Sequence, residues 1–463
     1  MAWLTGYTYR KQITLNGSTA GAQTNYQLKL TVYKGTGTDS AGVVYLNNHC
    51  QDDFDDIRFT KSDGSTELDH WRESYVSATS AIFWIEFDSI PISPNTANFY
   101  IYYNKVDATS ASNGEITFEF FDNFPGTDLN LNKWNGETQY ASVSGGIMTY
   151  NSAQDAWEWM HSAEGGVDKR FLKPHAIRSR AKFLVGTSTT AAEFGFGYTM
   201  DDSPTTSKRD DVGLYDGGGY YRRIRTAKEN VWTNIDDQPQ FVRGEFALWD
   251  ILWITDNARF ICNGSECQNS PITTTVPIAS IPIRVMSKNL DIFIDWILAR
   301  NYCSPEPTWG AWGSEESNQP PNAPTSLLCE GATNPTNVTD LTPEFSAIYN
   351  DPDTGDIANK YRVEVNTASN FTGTVMWDSG AAGTTMTNCT QGNRCQDISY
   401  AGTALSLNGA TYYWRIRFWD DDGAEGAVST ESASFTMKQG VLEITSPSSA
   451  TLTGKTVSTV AQT

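Results

Sequence analysis

The chain has 463 residues, enough for about three domains at roughly 100–200 residues each. Its 33 basic residues face 54 acidic ones, a net charge of −21 that disfavours nucleic acid, whose binding rests on Lys and Arg neutralising phosphates. No apolar run approaches the roughly 18–20 residues of a membrane helix, so no membrane insertion is expected, and the four scattered His do not suit a His-rich metal site.

Met1-Ala2-Trp3 leads directly into the alternating run Tyr9-Arg10-Lys11-Gln12-Ile13-Thr14, without the basic start and apolar stretch of a secretory signal. Short alternating segments then recur, broken by Gly, Asn, Asp, Pro and Ser, with almost no helical periodicity. The expected class is all-β, built as tandem β-sandwiches. A first module covers 1–111, with an Asp63-Gly64 hairpin turn. On one of its strands Glu67, Asp69, Trp71 and Glu73 share a face, read as a solvated one. A second module, 112–316, opens with Phe118-Glu119-Phe120-Phe121-Asp122-Asn123-Phe124 and closes with Asp291-Ile292-Phe293-Ile294-Asp295-Trp296-Ile297. The prolines of 317–324 suit an extended linker. A third module, 325–437, has immunoglobulin-like strand lengths, as in Thr411-Tyr412-Tyr413-Trp414-Arg415-Ile416-Arg417-Phe418. Residues 438–463 read as one strand and a Ser/Thr-rich tail, the strand pairing in cis or with a neighbouring subunit.

The spacing of Cys262 and Cys267, and of Cys389 and Cys395, each around a Gly-containing turn, suits two local disulfides. Neither pair has zinc-site spacing. Cys50, Cys303 and Cys329 are left over, so at least one thiol is free or pairs between chains.

In the first module, Tyr9-Arg10-Lys11-Gln12-Ile13-Thr14, Asp56-Ile57-Arg58-Phe59-Thr60, Phe83-Trp84-Ile85 and Tyr100-Ile101-Tyr102-Tyr103-Asn104 resemble the domain-of-unknown-function family 2341. In the second, Phe121-Asp122-Asn123-Phe124 with Leu131-Asn132-Lys133-Trp134, and the closing Asp295–Tyr302 run, resemble concanavalin A-like lectin/glucanase sandwiches. The third is similar to fibronectin type III or bacterial immunoglobulin-like repeats, through Tyr412–Ile416 and the Asp420-Asp421-Asp422-Gly423 turn. Together these resemblances imply a protein of bacterial, archaeal or phage surfaces. The concanavalin A-like resemblance further implies a structural Ca²⁺ between Asp122 and Asp295, with backbone carbonyls completing its six to eight oxygens.

Laminarinase-type members of that fold carry a Glu-x-Asp-x-Glu strand that sets their carboxylates on one face. The second module has no such run, so no catalytic residue is assigned and no enzyme is expected. Trp157 and Trp159 alternate onto one face, and Tyr220, Tyr221 and Arg222 follow the glycine run 217–219. These five are the candidate glycan-binding residues, since aromatic faces stack on sugars. The acidic loop Asp351-Pro352-Asp353-Thr354-Gly355-Asp356 reads as a turn. The expectation is a non-enzymatic, oligomeric structural or adhesive protein on a virion surface (a phage tail fibre, tail-tip adhesin or head fibre), with other virion subunits and glycans as partners. The alternatives are a secreted bacterial or archaeal surface adhesin or filament subunit, and a divergent glycoside hydrolase.

Overall fold

Strands alternate with tight turns throughout the computed structural model, which describes residues 3–440 apart from 154–155, 188, 199–208, 219–220, 354 and 431–432. Tyr220 and the tail beyond 440 lie outside the described residues. The chain divides into two units, Tyr7–Ser317 and Asn318–Thr463 with Met1–Gly6.

The larger unit contains two sandwiches. In the first, one sheet runs in the order Thr308–Ser317, Tyr9–Asn16, Thr96–Tyr103, Arg58–Thr60. The facing sheet runs Val43–Tyr45, Gln23–Tyr33, Ser80–Ile90, His70–Val76. Leu28, Leu30 and Val32 alternate inward against Phe83, Ile85 and Phe87. Each such side chain contributes about 1.5–3 kcal/mol when fully buried.

The strand Thr308–Ser317 corrects the module boundary drawn at 316. It pairs antiparallel with Tyr9–Asn16, Ile13 lying opposite Trp312 and Asn16 opposite Thr308. Its Trp309 and Trp312 stack on each other and pack against the first core. Arg10 is ion-paired to Glu316 at 2.7 Å, and Tyr103 donates a 2.8 Å hydrogen bond to Glu315. The first sandwich is therefore discontinuous, and the second is inserted between its strands.

The second sandwich packs an eight-stranded sheet on a nine-stranded one around a single large core. The first sheet has Ile292–Asn301 and His175–Phe183 at its centre. In the second, Glu158–Glu164, Ile281–Lys288, Ala191–Tyr198, Asp210–Asp216, Arg222–Lys228 and Val231–Ile235 lie side by side.

The two sandwiches share a buried seam of Trp71, Trp84, Phe118, Phe121, Trp296 and Leu298. On the Glu67–Glu73 face, read as solvated, Glu67 and Asp69 are exposed as expected, but Trp71 and Glu73 enter this seam. An irregularity in the pairing between Arg72 and Ser74 accompanies the change. Trp71 is buried, and the Glu73 side chain is 2% exposed where it pairs with Arg178.

The smaller unit is an immunoglobulin-like sandwich. A three-stranded sheet of Thr325–Cys329, Glu344–Ile348 and Ile398–Ser399 faces a six-stranded one centred on Ile357–Asn366 and Thr411–Asp420. Phe345, Val363, Trp414 and Phe435 lie in its core. The expected extended linker, 317–324, is hydrogen-bonded to this sandwich. Asn322 N donates to Asn350 O at 3.0 Å, and Pro321 O accepts from Ala427 N at 3.0 Å.

Of the two expected disulfides, Cys389–Cys395 is formed and Cys262–Cys267 is not. Hairpin register explains the difference. Cys262 lies opposite Ser265 and Ile261 opposite Glu266, and Cys267 N bonds to Phe260 O. Cys267 is thus the diagonal neighbour of Cys262, and diagonal Cα separations of about 7–8 Å exceed disulfide reach. Cys50, Cys303 and Cys329 are also unbonded and buried in cores.

Candidate binding face

The nine-stranded sheet turns one face to the core and the other outward. Along Ala191–Tyr198, Ala192, Phe194 and Phe196 enter the core, so Glu193, Gly195 and Gly197 point outward. The same alternation directs Val212 and Leu214 inward and Asp211, Gly213 and Tyr215 outward. It leaves Arg225 and Arg284 on the outer face beside core residues Ile224, Ile283 and Val285.

Register aligns these residues into a row. His161 lies opposite Arg284, Arg284 opposite Gly195, Gly195 opposite Gly213 and Gly213 opposite Arg225. Glycine inside a strand marks a close approach. A Cβ on Gly197 would stand 2.8 Å from Arg284 Cζ and 2.9 Å from Asp211 Oδ1. The missing side chain at Gly197 thus leaves room for the Arg284 guanidinium beside Asp211.

There Glu193 is ion-paired to Arg209 (2.9 Å), Arg225 and Arg284. Asp211 contacts the same three arginines at 3.4, 3.1 and 3.2 Å. The group carries three cations and two anions. Burial, with the Arg284 charge close by, pulls Arg225 well below its ordinary pKa and Arg209 down to about 10. Arg284 Nε and Nη1 and Asp211 Oδ1 are buried without a hydrogen-bond partner. Buried charges of this kind are costly and concentrate at functional sites.

Aromatic rings border the group. Arg209 and Arg225 lie over Trp232 at 4.6 and 4.7 Å, and Arg225 over Tyr215 at 4.6 Å. Trp157 packs against Tyr215 with ring centroids 6.2 Å apart. Trp159 lies opposite Met286, which lies opposite Glu193. His161 Nε2 is 2.6 Å from Asp168 Oδ1.

Three of the sequence candidates therefore come together here. Trp157 and Trp159 are half-buried on this face, and Tyr221, 46% exposed, lies under the Arg223 guanidinium at 4.5 Å. Arg222 is a correction. Its parity matches core residue Ile224, and its guanidinium donates to Phe241 O at 3.1 Å, so Arg223 takes its place on the face. Glu193, Asp211, Arg209, Arg225, Arg284 and Trp232 were missed. Their signal was the alternation in Ala192-Glu193-Phe194-Gly195-Phe196-Gly197 and Arg223-Ile224-Arg225, where charges and glycines share a parity opposite the apolar residues.

Asp122 and Asp295 are engaged separately. Asp122 Oδ1 accepts from Phe124 N at 2.8 Å and Oδ2 from Trp134 Nε1 at 2.7 Å. Asp295 sits at a register shift between Ile294 and Trp296 and is ion-paired to the half-exposed Arg180 at 2.5 Å. The shift sets Asp295 apart from the strand's inward alternation, whereas Asp122 lies opposite the core residue Ile297.

A cavity of about 310 Å³ between the two sandwiches is lined by Trp84, Arg178, Asp250, Arg300, Glu306 and Trp309. Two ion pairs lie in its wall, Arg178 with Asp250 and Arg300 with Glu306, and Lys29 also lines it.

Residues 53–137 match the family described as a domain of unknown function (DUF2341), and residues 324–441 match the Rha78A-like, N-terminal immunoglobulin domain. Among solved structures, the chain is similar to a prokaryotic beta-1,3-1,4-glucanase (lichenase) derived from a mouse hindgut metagenome, at 12% identity over 39% of this chain and 98% of that one, with a TM-score of 0.31. It is also similar to the laminarinase from Rhodothermus marinus, at 11% identity over 40% and 97%, with a TM-score of 0.32. For beta-agarase B from Zobellia galactanivorans the values are 13%, 41% and 92%, with a TM-score of 0.29. No curated protein matches the chain.

Proposed function

We propose that the protein is a non-enzymatic structural and adhesive protein whose second sandwich binds a glycan on the outer face of the nine-stranded sheet. The observation that carries this reading is the Glu193–Asp211 group. Both carboxylates are ion-paired to the same three arginines, beside Trp157, Trp159, Tyr215 and Trp232. Retaining hydrolysis needs one protonated acid and one free nucleophile. Both carboxylates are buried and engaged by guanidinium groups, so neither stands free beside the substrate, whereas the partly exposed rings of Trp157, Trp159, Tyr215 and Trp232 suit stacking on sugars.

A glycan array with the full chain, run beside a glycan-release assay, tests the reading. The expected result is binding that falls at least tenfold in Trp159→Ala, without release of reducing ends. Turnover of a β-glucan would instead establish the divergent-hydrolase alternative. The proposed setting is a virion surface, with a bacterial or archaeal cell surface as the alternative. Immunogold labelling of purified particles and of intact cells separates the two.

A further inference from the structure

The immunoglobulin-like domain gathers five aspartates from two loops. Asp351 and Asp356 lie between the strands Glu344–Ile348 and Ile357–Asn366. Asp420 ends the strand Thr411–Asp420, and Asp421 and Asp422 follow it. Pairing of Ala358 with Asp420 brings the loops together. Carboxylate oxygens of Asp351, Asp356 and Asp420 lie within 4.8 Å of one another, as do those of Asp356, Asp421 and Asp422. Asp351, Asp356 and Asp420 are 5%, 1% and 0% exposed. The ion-paired arginines of this domain, Arg362, Arg415 and Arg417, are committed to Glu364, Asp378 and Glu425. Buried like charges at this spacing call for a cation.

A separate observation concerns the satisfaction of individual atoms. Asp356 Oδ1 accepts from Ile357 N at 2.7 Å, but the buried Asp356 Oδ2 has no hydrogen-bond partner. Asp422 Oδ1 accepts from Gly6 N at 2.9 Å, and its Oδ2 is likewise buried and unpartnered. Asn318 places its amide nitrogen 3.3 Å from Asp420 Oδ2, and its Oδ1 is a third buried oxygen without a donor. A nearly fully buried carboxylate oxygen without a donor is expensive unless something else neutralises it.

We propose that Asp351, Asp356 and Asp420, with Asp421, Asp422 and Asn318 Oδ1 around them, bind Ca²⁺. The donors are all oxygen, with no His or Cys among them, which disfavours Zn²⁺. Two triads sharing Asp356 supply more carboxylate oxygen than the small octahedral shell of Mg²⁺ uses, and they match the six to eight ligands of Ca²⁺. A bound cation fastens the Asp351–Asp356 loop to the Asp420–Asp422 turn and to Asn318, the first residue of the unit's main segment. This proposal is independent of the glycan-binding reading.

Calorimetric titration of the EDTA-stripped full chain with CaCl₂ tests the proposal. Saturable binding with a Kd of about 1 mM or tighter, the range of extracellular modules, is expected. Asp356→Asn should weaken it at least tenfold and abolish the Ca²⁺-dependent rise in melting temperature, whereas Asp295→Asn should leave both unchanged. If Asp356→Asn does not fold, the half-buried Asp421→Asn decides, with weaker binding supporting the proposal. No Ca²⁺ binding by the native chain, or native affinity in the deciding variant, overturns it.

Discussion

Replacing Glu73 with Ala probes how the two sandwiches of the larger unit are held together. Glu73 accepts from Arg178 Nε at 2.9 Å and Nη2 at 3.0 Å, and from Trp84 Nε1 at 2.7 Å. The paired side chains are 2% and 8% exposed, so water compensates neither. Breaking a buried ion pair costs about 3–5 kcal/mol, and an orphaned buried indole N–H about 1–3 kcal/mol. Arg178 keeps Asp250 at 2.5 Å, which places the total near the lower end of the summed range, about 4 kcal/mol. At about 2–4 °C per kcal/mol for large domains, the melting temperature should fall by about 8–16 °C. Scanning calorimetry of the full chain reads this, with Arg180→Ala as the reference. Arg180 is 43% exposed, and loss of its pair with Asp295 should cost about 0–1 kcal/mol. Glu73→Gln, which keeps an acceptor for Trp84, should fall between the two. If Glu73→Ala melts with the reference variant, the polar part of the seam does not hold the sandwiches together.

On the candidate face, Gly197→Val should displace Arg284 and Asp211, lower stability by about 1–3 kcal/mol and weaken glycan binding; unchanged binding would exclude the arginine group as the site. Thiol titration of the unreduced, denatured chain should find five free cysteines, because one of the pairs is bonded; three would restore the Cys262–Cys267 bond. Replacing Cys389 and Cys395 with Ser should lower stability by about 2 kcal/mol, the loop-closure value for so short a ring, and calorimetry of the double variant checks it. Burial pulls His70 from 6.5 down to about 4, so its contribution is complete above about pH 6.5 and is lost towards pH 4, as the unfolded chain takes up a proton the folded one refuses. The difference is about 3 kcal/mol, and denaturant titrations should show a shallower acid slope in His70→Gln than in the native chain.

The sandwich architecture was legible because strand alternation is local: Leu28-Lys29-Leu30-Thr31-Val32 and Phe194-Gly195-Phe196 announce their inward faces by parity alone. Long-range pairing was not. Nothing near Trp309 says that its strand returns to Tyr9–Asn16, so the boundary at 316 fell on the wrong side of it. Cys262 and Cys267 illustrate the same limit, since their five-residue spacing suits a bond and only hairpin register shows them to be diagonal. At the candidate face, Trp157 and Trp159 stood out as aromatic, whereas Glu193 and Arg284 come from distant strands and acquire meaning only across the Gly195–Gly213 pair.

The returning strand also bears on biosynthesis. The sheet that contains Tyr9–Asn16 lacks its edge until Thr308–Ser317 has been made, long after Thr96–Tyr103. At about 5–20 residues per second, the delay over that stretch is roughly 10–40 s. During it, the N-terminal strand waits with an open flank while the inserted sandwich is completed. Prior folding of that insert then brings the two distant segments near each other, so closing the sheet costs far less chain entropy than a loop of that length would otherwise demand. An unpaired strand edge of this kind invites wrong partners, which makes translation speed and crowding the conditions under which this architecture is most exposed.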